Sequence, residues 1–158
     1  MTTGPHHDEE PPEHRRFARH LEALEAVAPA DEADLLAAVL RDPDPAMADS
    51  AVGRHLDRRA AELLTDPGFP AWARTMGETV GDRAFLARRL REWTLLRTVV
   101  VGGPWAAEEL TGASDWFQRK AAVTPITGSP EAVELLAAHG RTRRVRNAAM
   151  RQLPRRGR

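Results

Sequence analysis

Proline and glycine cut this chain at short intervals. The cuts fall at Pro29, at Asp42-Pro43-Asp44-Pro45, at Asp66-Pro67-Gly68, at Gly102-Gly103-Pro104, at Pro125, at Ser129-Pro130 and at Gly140. Proline removes a backbone donor and glycine costs entropy in a helix, so each cut ends whatever element precedes it. Between the cuts, apolar residues recur at steps of three and four, the spacing of one helix face and not of a strand. Such a chain buries apolar surface by laying short amphipathic helices side by side.

The helices follow from that punctuation. Phe17, Leu21, Leu24 and Val27 or Ala28 make the inner face of a first helix that starts near Glu13 and stops at Pro29. Asp31 is expected to cap a second, carrying Leu35, Leu36, Val39 and Leu40. A third covers about 45–64, with Met47, Ala51, Leu56, Ala60 and Leu63 inward, and a shorter one covers 70–80. The longest is predicted to begin at Asp82 and to bury Phe85, Leu86, Leu90, Trp93, Leu96 and Val100. A short helix over 105–110 follows. Asp115 is expected to cap a helix bearing Trp116, Phe117, Ala121 and Ala122, and Ser129 and Pro130 to start one that Gly140 closes. The last covers 141–153. Thr98-Val99-Val100-Val101 is the only β-branched run and continues a helical pattern, so the predicted class is all-α. Leu36, Leu56, Leu90, Leu136 and Ala148 are the expected core positions.

The 158 residues suffice for one domain with a real core, and 42% hydrophobic with 29% charged residues is globular composition. The organisation read here is a disordered, acidic, Pro-rich leader over 1–12, a helical domain over 13–153 and a basic tail over 154–158. The absence of cysteine excludes disulfides and thiolate chemistry. No apolar run approaches the roughly 18 residues of a membrane span, and the opening MTTGPHHDEEPPEHRR lacks the apolar segment of a signal peptide. A cytoplasmic protein without a membrane role is the expectation. The heavy use of Ala, Arg, Pro and Asp suggests a GC-rich bacterial genome, which lowers the weight of any single arginine.

The formal charge is zero, but it is unevenly spread. Residues 1–66 hold 15 acids against 7 Lys or Arg, a net −8, and residues 67–158 hold 8 acids against 16, a net +8. The last 18 residues, RTRRVRNAAMRQLPRRGR, contain eight arginines and no acid. Such asymmetry concerns partners and association.

Two segments of the chain match each other. Leu35-Leu36-Ala37-Ala38 precedes Met47-Ala48-Asp49-Ser50-Ala51-Val52-Gly53-Arg54-His55-Leu56, as Leu135-Leu136-Ala137-Ala138 precedes Arg144-Val145-Arg146-Asn147-Ala148-Ala149-Met150-Arg151-Gln152-Leu153. Phe117-Gln118-Arg119-Lys120-Ala121-Ala122-Val123 is a weaker copy. Acids expected at helix starts, Asp44, Asp82 and Asp115, stand 38 and 33 residues apart, steps that suit helix-pair repeats.

On these residues, above all Asp-Pro-Asp-Pro at 42–45 and Val-Arg-Asn-Ala-Ala-Met-Arg-Gln-Leu at 145–153, the chain resembles the HEAT-like repeat proteins. The resemblance covers about 30–153 and implies a right-handed α-solenoid of about four helix pairs. It places Val145, Ala148, Ala149 and Gln152 or Leu153 on the inner face of the last helix, with Arg141, Arg143, Arg144, Arg146 and Arg151 on a solvated outer side.

No catalytic, cofactor or metal motif accompanies that pattern. His6 and His7 lie in the leader, and His14 and His20 fall on different helix faces. HExxH, an EF-hand loop and a phosphate-binding glycine loop are missing, and Ser50, Ser114 and Ser129 occupy no nucleophile elbow. The tryptophans Trp72, Trp93, Trp105 and Trp116 cluster mid-chain near Arg74, Arg91, Arg97, Arg119 and Lys120, where they either fill the core or offer stacking surfaces. Asp115-Trp116-Phe117-Gln118-Arg119-Lys120-Ala121-Ala122-Val123 is similar to a helix of the HEAT-like alkylpurine DNA glycosylases. That family's essential aspartate, four residues after a tryptophan, would fall at position 97, where this chain has Arg97. The resemblance thus implies binding without glycosidic chemistry. The expected function is a non-enzymatic scaffold or adaptor that takes an acidic protein partner, with nucleic-acid binding as the alternative and head-to-tail self-association as a third outcome. The candidate contacts are Trp93, Arg97, Trp116, Arg119, Arg141, Arg143, Arg144, Arg146 and Arg151.

Overall fold

Every break read from the sequence is a break between helices in the computed structural model, which describes residues 11–155. The helices are α1 Pro12–Ala26, α2 Glu32–Leu40, α3 Pro45–Leu63, α4 Phe69–Val80, α5 Ala84–Val101, α6 Ala107–Thr111, α7 Asp115–Val123, α8 Pro130–His139 and α9 Arg143–Gln152, with a 3-10 turn at Pro29–Asp31. No strand occurs among the described residues. The leader's boundary moves: Pro12 is already the first residue of α1 and Pro11 precedes it as N-cap, while residues 1–10 lie outside the described residues. Of the tail, Pro154 and Arg155 are exposed and residues 156–158 also lie outside.

Helix starts follow local chemistry only where the tertiary structure leaves it free. Asp44 caps α3, its carboxylate accepting from the amides of Ala46 and Met47 with Pro45 in the first turn. Asp115 does not cap α7; Ser114 does, its Oγ accepting from the Phe117 amide while donating to Glu92. Asp31 and Ser129 stand at N-caps without a side-chain capping bond. Asp82 is passed over for Arg83, whose guanidinium donates to Asp49 at 2.6 Å and to the Leu40 carbonyl at 2.6 Å. That long-range pair ties the start of α5 to α3 and to the end of α2. The last helix begins at Arg143, two residues later than expected, because Thr142 Oγ1 caps it through the Val145 amide.

The helices contact one another in two rows. In one, α1 packs on α3, α3 on α5, α5 on α7 and α7 on α9; in the other, α2 packs on α4 and α6 on α8. The pairs α2 with α3, α4 with α5 and α8 with α9 join the rows. Leu36, Leu56, Leu90, Leu136 and Ala148 are all buried, in one contiguous core with Phe69, Trp93 and Phe117. Phe85 is not inward as expected; it is 51% exposed. Leu86, Leu90, Trp93 and Leu96 take the core side of α5, and Phe85, one position from Leu86, falls about 100° away from it.

The two matching segments occupy α2–α3 and α8–α9. Leu36 and Leu136 are both buried, as are Ala48 and Val145, Ala51 and Ala148, and Val52 and Ala149. Small residues allow the close approach that α8 and α9 make. A Cβ added at Gly140 would lie 2.6 Å from the Leu136 carbonyl and 2.7 Å from Val145 Cγ1. Gly102, at φ 83°, ends α5 in the left-handed region, and its amide would stand 2.6 Å from a Cβ at Gly128.

Candidate binding face

Phe85, Arg89, Trp93 and Arg97 stand four residues apart on α5, so they form one stripe along the helix. Asp57 of α3 faces its middle. The Asp57 carboxylate accepts from Trp93 Nε1 at 2.9 Å and from Arg89 Nη1 at 3.0 and 3.3 Å. The Arg89 guanidinium lies 3.8 Å from the ring centre of Trp116 on α7 and 5.2 Å from that of Phe85. Trp93 meets Trp116 edge-on at 5.3 Å, and Lys120 Nζ stands 5.6 Å from the Trp93 ring. Each cation–ring contact is worth about 0.5–2 kcal/mol. The Trp116 ring is therefore held by a neighbour's guanidinium and by a second indole.

This geometry divides the expected contact residues. Trp93 is 1% exposed, so it is a core residue and cannot meet a partner. Arg97 is spent on the fold: it donates to the carbonyls of Leu64 at 3.0 Å and Asp66 at 2.6 Å, where α3 ends, and lies over Phe69. Trp116 and Arg119 are brought together with Arg144 in a groove between α7 and α9. Its volume is about 310 Å³, and its lining is Trp116, Arg119, Lys120, Ala122, Val123, Arg144, Val145 and Ala148. The floor is apolar, the rim carries three cations, and among the described residues no carboxylate lines it.

The terminal arginines do not form one solvated face. Arg143, Arg144 and Arg151 are exposed. Arg141 instead closes the loop before α7: its guanidinium donates to the carbonyls of Thr111 and Ala113 and pairs with Asp115, and its amide donates to Gln118 Oε1 at 2.9 Å. Arg146 donates to the Gly140 carbonyl at 2.7 Å, where α8 ends. The inner side of α9 is as expected. Val145, Ala148 and Ala149 are buried, and Gln152 Nε2 donates to the Ala121 carbonyl at 3.1 Å and to that of Ala122.

A second polar cluster, not foreseen, is buried where α2, α3 and α4 meet. Glu32, 3% exposed, accepts from His55 Nε2 at 2.7 Å, Arg59 Nε at 2.8 Å and Trp72 Nε1 at 3.0 Å. Arg58 stands 3.1 Å from His55 Nδ1 and has only donors, so Nδ1 accepts and the ring proton sits on Nε2. Burial pushes the Glu32 carboxyl upward, but the hydrogen bonds from Arg59 and His55 outweigh it and hold the pKa below its ordinary value. Burial, together with the neighbouring charges of Arg58 and Arg59, lowers the His55 pKa against the upward pull of Glu32. Beyond the other end of α2, Asp42 accepts from His20 at 2.8 Å, from the Asp44 amide at 2.9 Å and from Arg16 at 2.8 Å, and its pKa falls to about 2. Both clusters tie helices together and lie away from the α7–α9 groove.

Part of the charge gradient is consumed inside the molecule. The pairs Asp49–Arg83 and Asp57–Arg89 join the acidic half to the basic half along α3 and α5, at sequence separations of 34 and 32. These separations are close to the 33-residue step between Asp82 and Asp115, and acid–arginine pairs at that spacing are the sequence signal that points to Asp57 and Arg89. Among the described residues no helix is long and apolar enough to cross a membrane, and no group of three His, Cys, Asp or Glu is placed to hold a metal ion. Comparison with known proteins finds no family model, no curated protein and no solved structure that matches this chain.

Proposed function

We propose that this chain is a small HEAT-like α-solenoid, right-handed and built of about four helix pairs, that works without catalysis as an adaptor for a protein partner. The order of helix contacts and the shared burial pattern of α2–α3 and α8–α9 support the repeat reading. The observation that carries the binding role is the α7–α9 groove, where an apolar floor, a clamped tryptophan and three cations lie on the row formed by α1, α3, α5, α7 and α9. Aromatic and arginine anchors in such settings dominate protein interfaces.

A photo-crosslinking amino acid at Val123, Lys120 or Arg144, all groove positions, should trap a partner protein in cells, while one at Thr75 on α4 or Glu134 on α8 should not. Capture only from α4 and α8 would overturn the assignment of the face. Nucleic-acid binding by the same basic region is the second reading, favoured by Trp116 beside Arg119 and Lys120. Its mark is an affinity for oligonucleotides that falls steeply with salt.

A further inference from the structure

We infer that the α7–α9 groove takes a short acidic segment of the partner, seated by one aromatic side chain with flanking carboxylates on Arg119, Lys120 and Arg144. This rests on the binding role proposed above and names the partner's chemistry. The groove, about 310 Å³, is at the small end of ligand cavities, large enough for a bulky side chain and too small for a large cofactor. Its floor of Trp116, Val123, Val145 and Ala148 rewards apolar burial, and Val123 is 68% exposed. Trp116 is already clamped between Arg89 and Trp93, so binding does not have to order it.

The cations explain the rest. Arg119, Lys120 and Arg144 ring the groove, and among the described residues no carboxylate lines it, so an acidic segment neutralises them without displacing an ion-pair partner. The cationic surface is also bounded. Towards the N-terminal end, Asp57 holds Arg89 and Asp49 holds Arg83, and these carboxylates interrupt any longer basic track. Three cations on two helices, none of them in an ion pair among the described residues, suit a few carboxylates around one anchor. A nucleic-acid strand, with a phosphate at every step, would need the track that α3 denies it.

The test is fluorescence anisotropy with the full chain and a labelled twelve-residue probe of Asp, Glu and Gly carrying one central Phe. Burying that ring is worth about 1.5–3 kcal/mol, so the Ala version should bind about 10-fold to 100-fold more weakly. Val123→Asp and Arg144→Glu should each weaken binding by about 10-fold with an unchanged melting temperature, since both sites are exposed. Arg143→Glu, on the same helix but outside the groove, should change it by less than about 3-fold. Equal binding of the Phe and Ala probes, or no binding at low salt, overturns the inference. So does an oligonucleotide that binds more tightly than the probe and is lost in the same variants. If the probe fails while cross-links at Val123 still trap a protein, the anchor chemistry is wrong and the binding role stands; if both fail, the role falls as well.

Discussion

The α2–α3 pair and the α8–α9 pair share an apolar register but are locked in opposite ways. In α3 the polar position of the inner face is His55, which joins Glu32, Arg58, Arg59 and Trp72 in a buried charged network. The equivalent position in α9 is Gln152, whose neutral amide donates to two carbonyls at the end of α7 and accepts from the Ile126 amide. Gln118, buried on α7, does the same for the carbonyls of Leu110 and Thr111 and the Arg141 amide. The charged lock must recover the desolvation of Glu32 through three donors, and it depends on all of them. The amide lock costs less to bury. It also leaves the cations of α7 and α9 free to face outward, which is where the groove lies.

The sharpest break of this comparison is removal of each lock. Glu32→Ala leaves Arg59 Nε, His55 Nε2 and Trp72 Nε1 without their acceptor, although Arg59 Nη1 keeps Glu62 at 3.0 Å, and should cost about 3–5 kcal/mol in urea unfolding. Gln152→Ala should cost about 1–3 kcal/mol, because only neutral groups lose partners. Equal losses would show that the charged network contributes no more than the amide.

The shared register is tested next. Leu36→Ala and Leu136→Ala should each cost about 2–5 kcal/mol, and by similar amounts if the pairs are true counterparts. Wild-type stability in Leu136→Ala would mean that the register is wrong.

Smaller is the response to pH of groups in the first pair and its neighbour α1. The folded pKa of His55 lies below its ordinary 6.5, so the unfolded chain takes up a proton there that the native state does not. That contribution is complete above 6.5 and is lost as pH falls below it. Asp42, at about 2 against an ordinary 3.8, and Glu32, also lowered, add losses as pH falls through the carboxylate range. Acidification should therefore loosen α1–α3 before α7–α9. Hydrogen exchange followed from pH 8 to pH 3 measures this directly, and simultaneous loss of protection in both regions would refute it.

The smallest effects separate the arginines of the last stretch. Arg141→Gln and Arg146→Gln should each cost about 1 kcal/mol through lost bonds to loop carbonyls. Arg143→Gln and Arg151→Gln should stay within about 0.5 kcal/mol, as exposed charges do. Thermal melts of the four single variants decide between this split and a uniformly solvated face.

Most of the fold was legible because its signals are local. Proline, glycine and the three-to-four spacing act within one or two turns, and they located every break and the buried leucines Leu36, Leu56, Leu90 and Leu136. The candidate site was legible only in part: Trp116, Arg119 and Arg144 meet in one groove, whereas Trp93 is buried and Arg97 is bound to carbonyls. The errors share a cause. Asp82, Asp115 and Phe85 each carried the right local signal, and each gave way to a contact or helix phase set by packing.

The sequence by itself therefore determined the helices, their apolar faces and the match between the first and last pairs, since propensity and periodicity are properties of neighbouring residues. Tertiary structure alone decided which charges remained free. An arginine on a helix reads the same whether it faces water or a carbonyl 30 residues away, and only the packing of α3, α5, α7 and α9 spends Arg83, Arg89, Arg97 and Arg141 while leaving Arg119, Lys120 and Arg144 around an open tryptophan-floored groove.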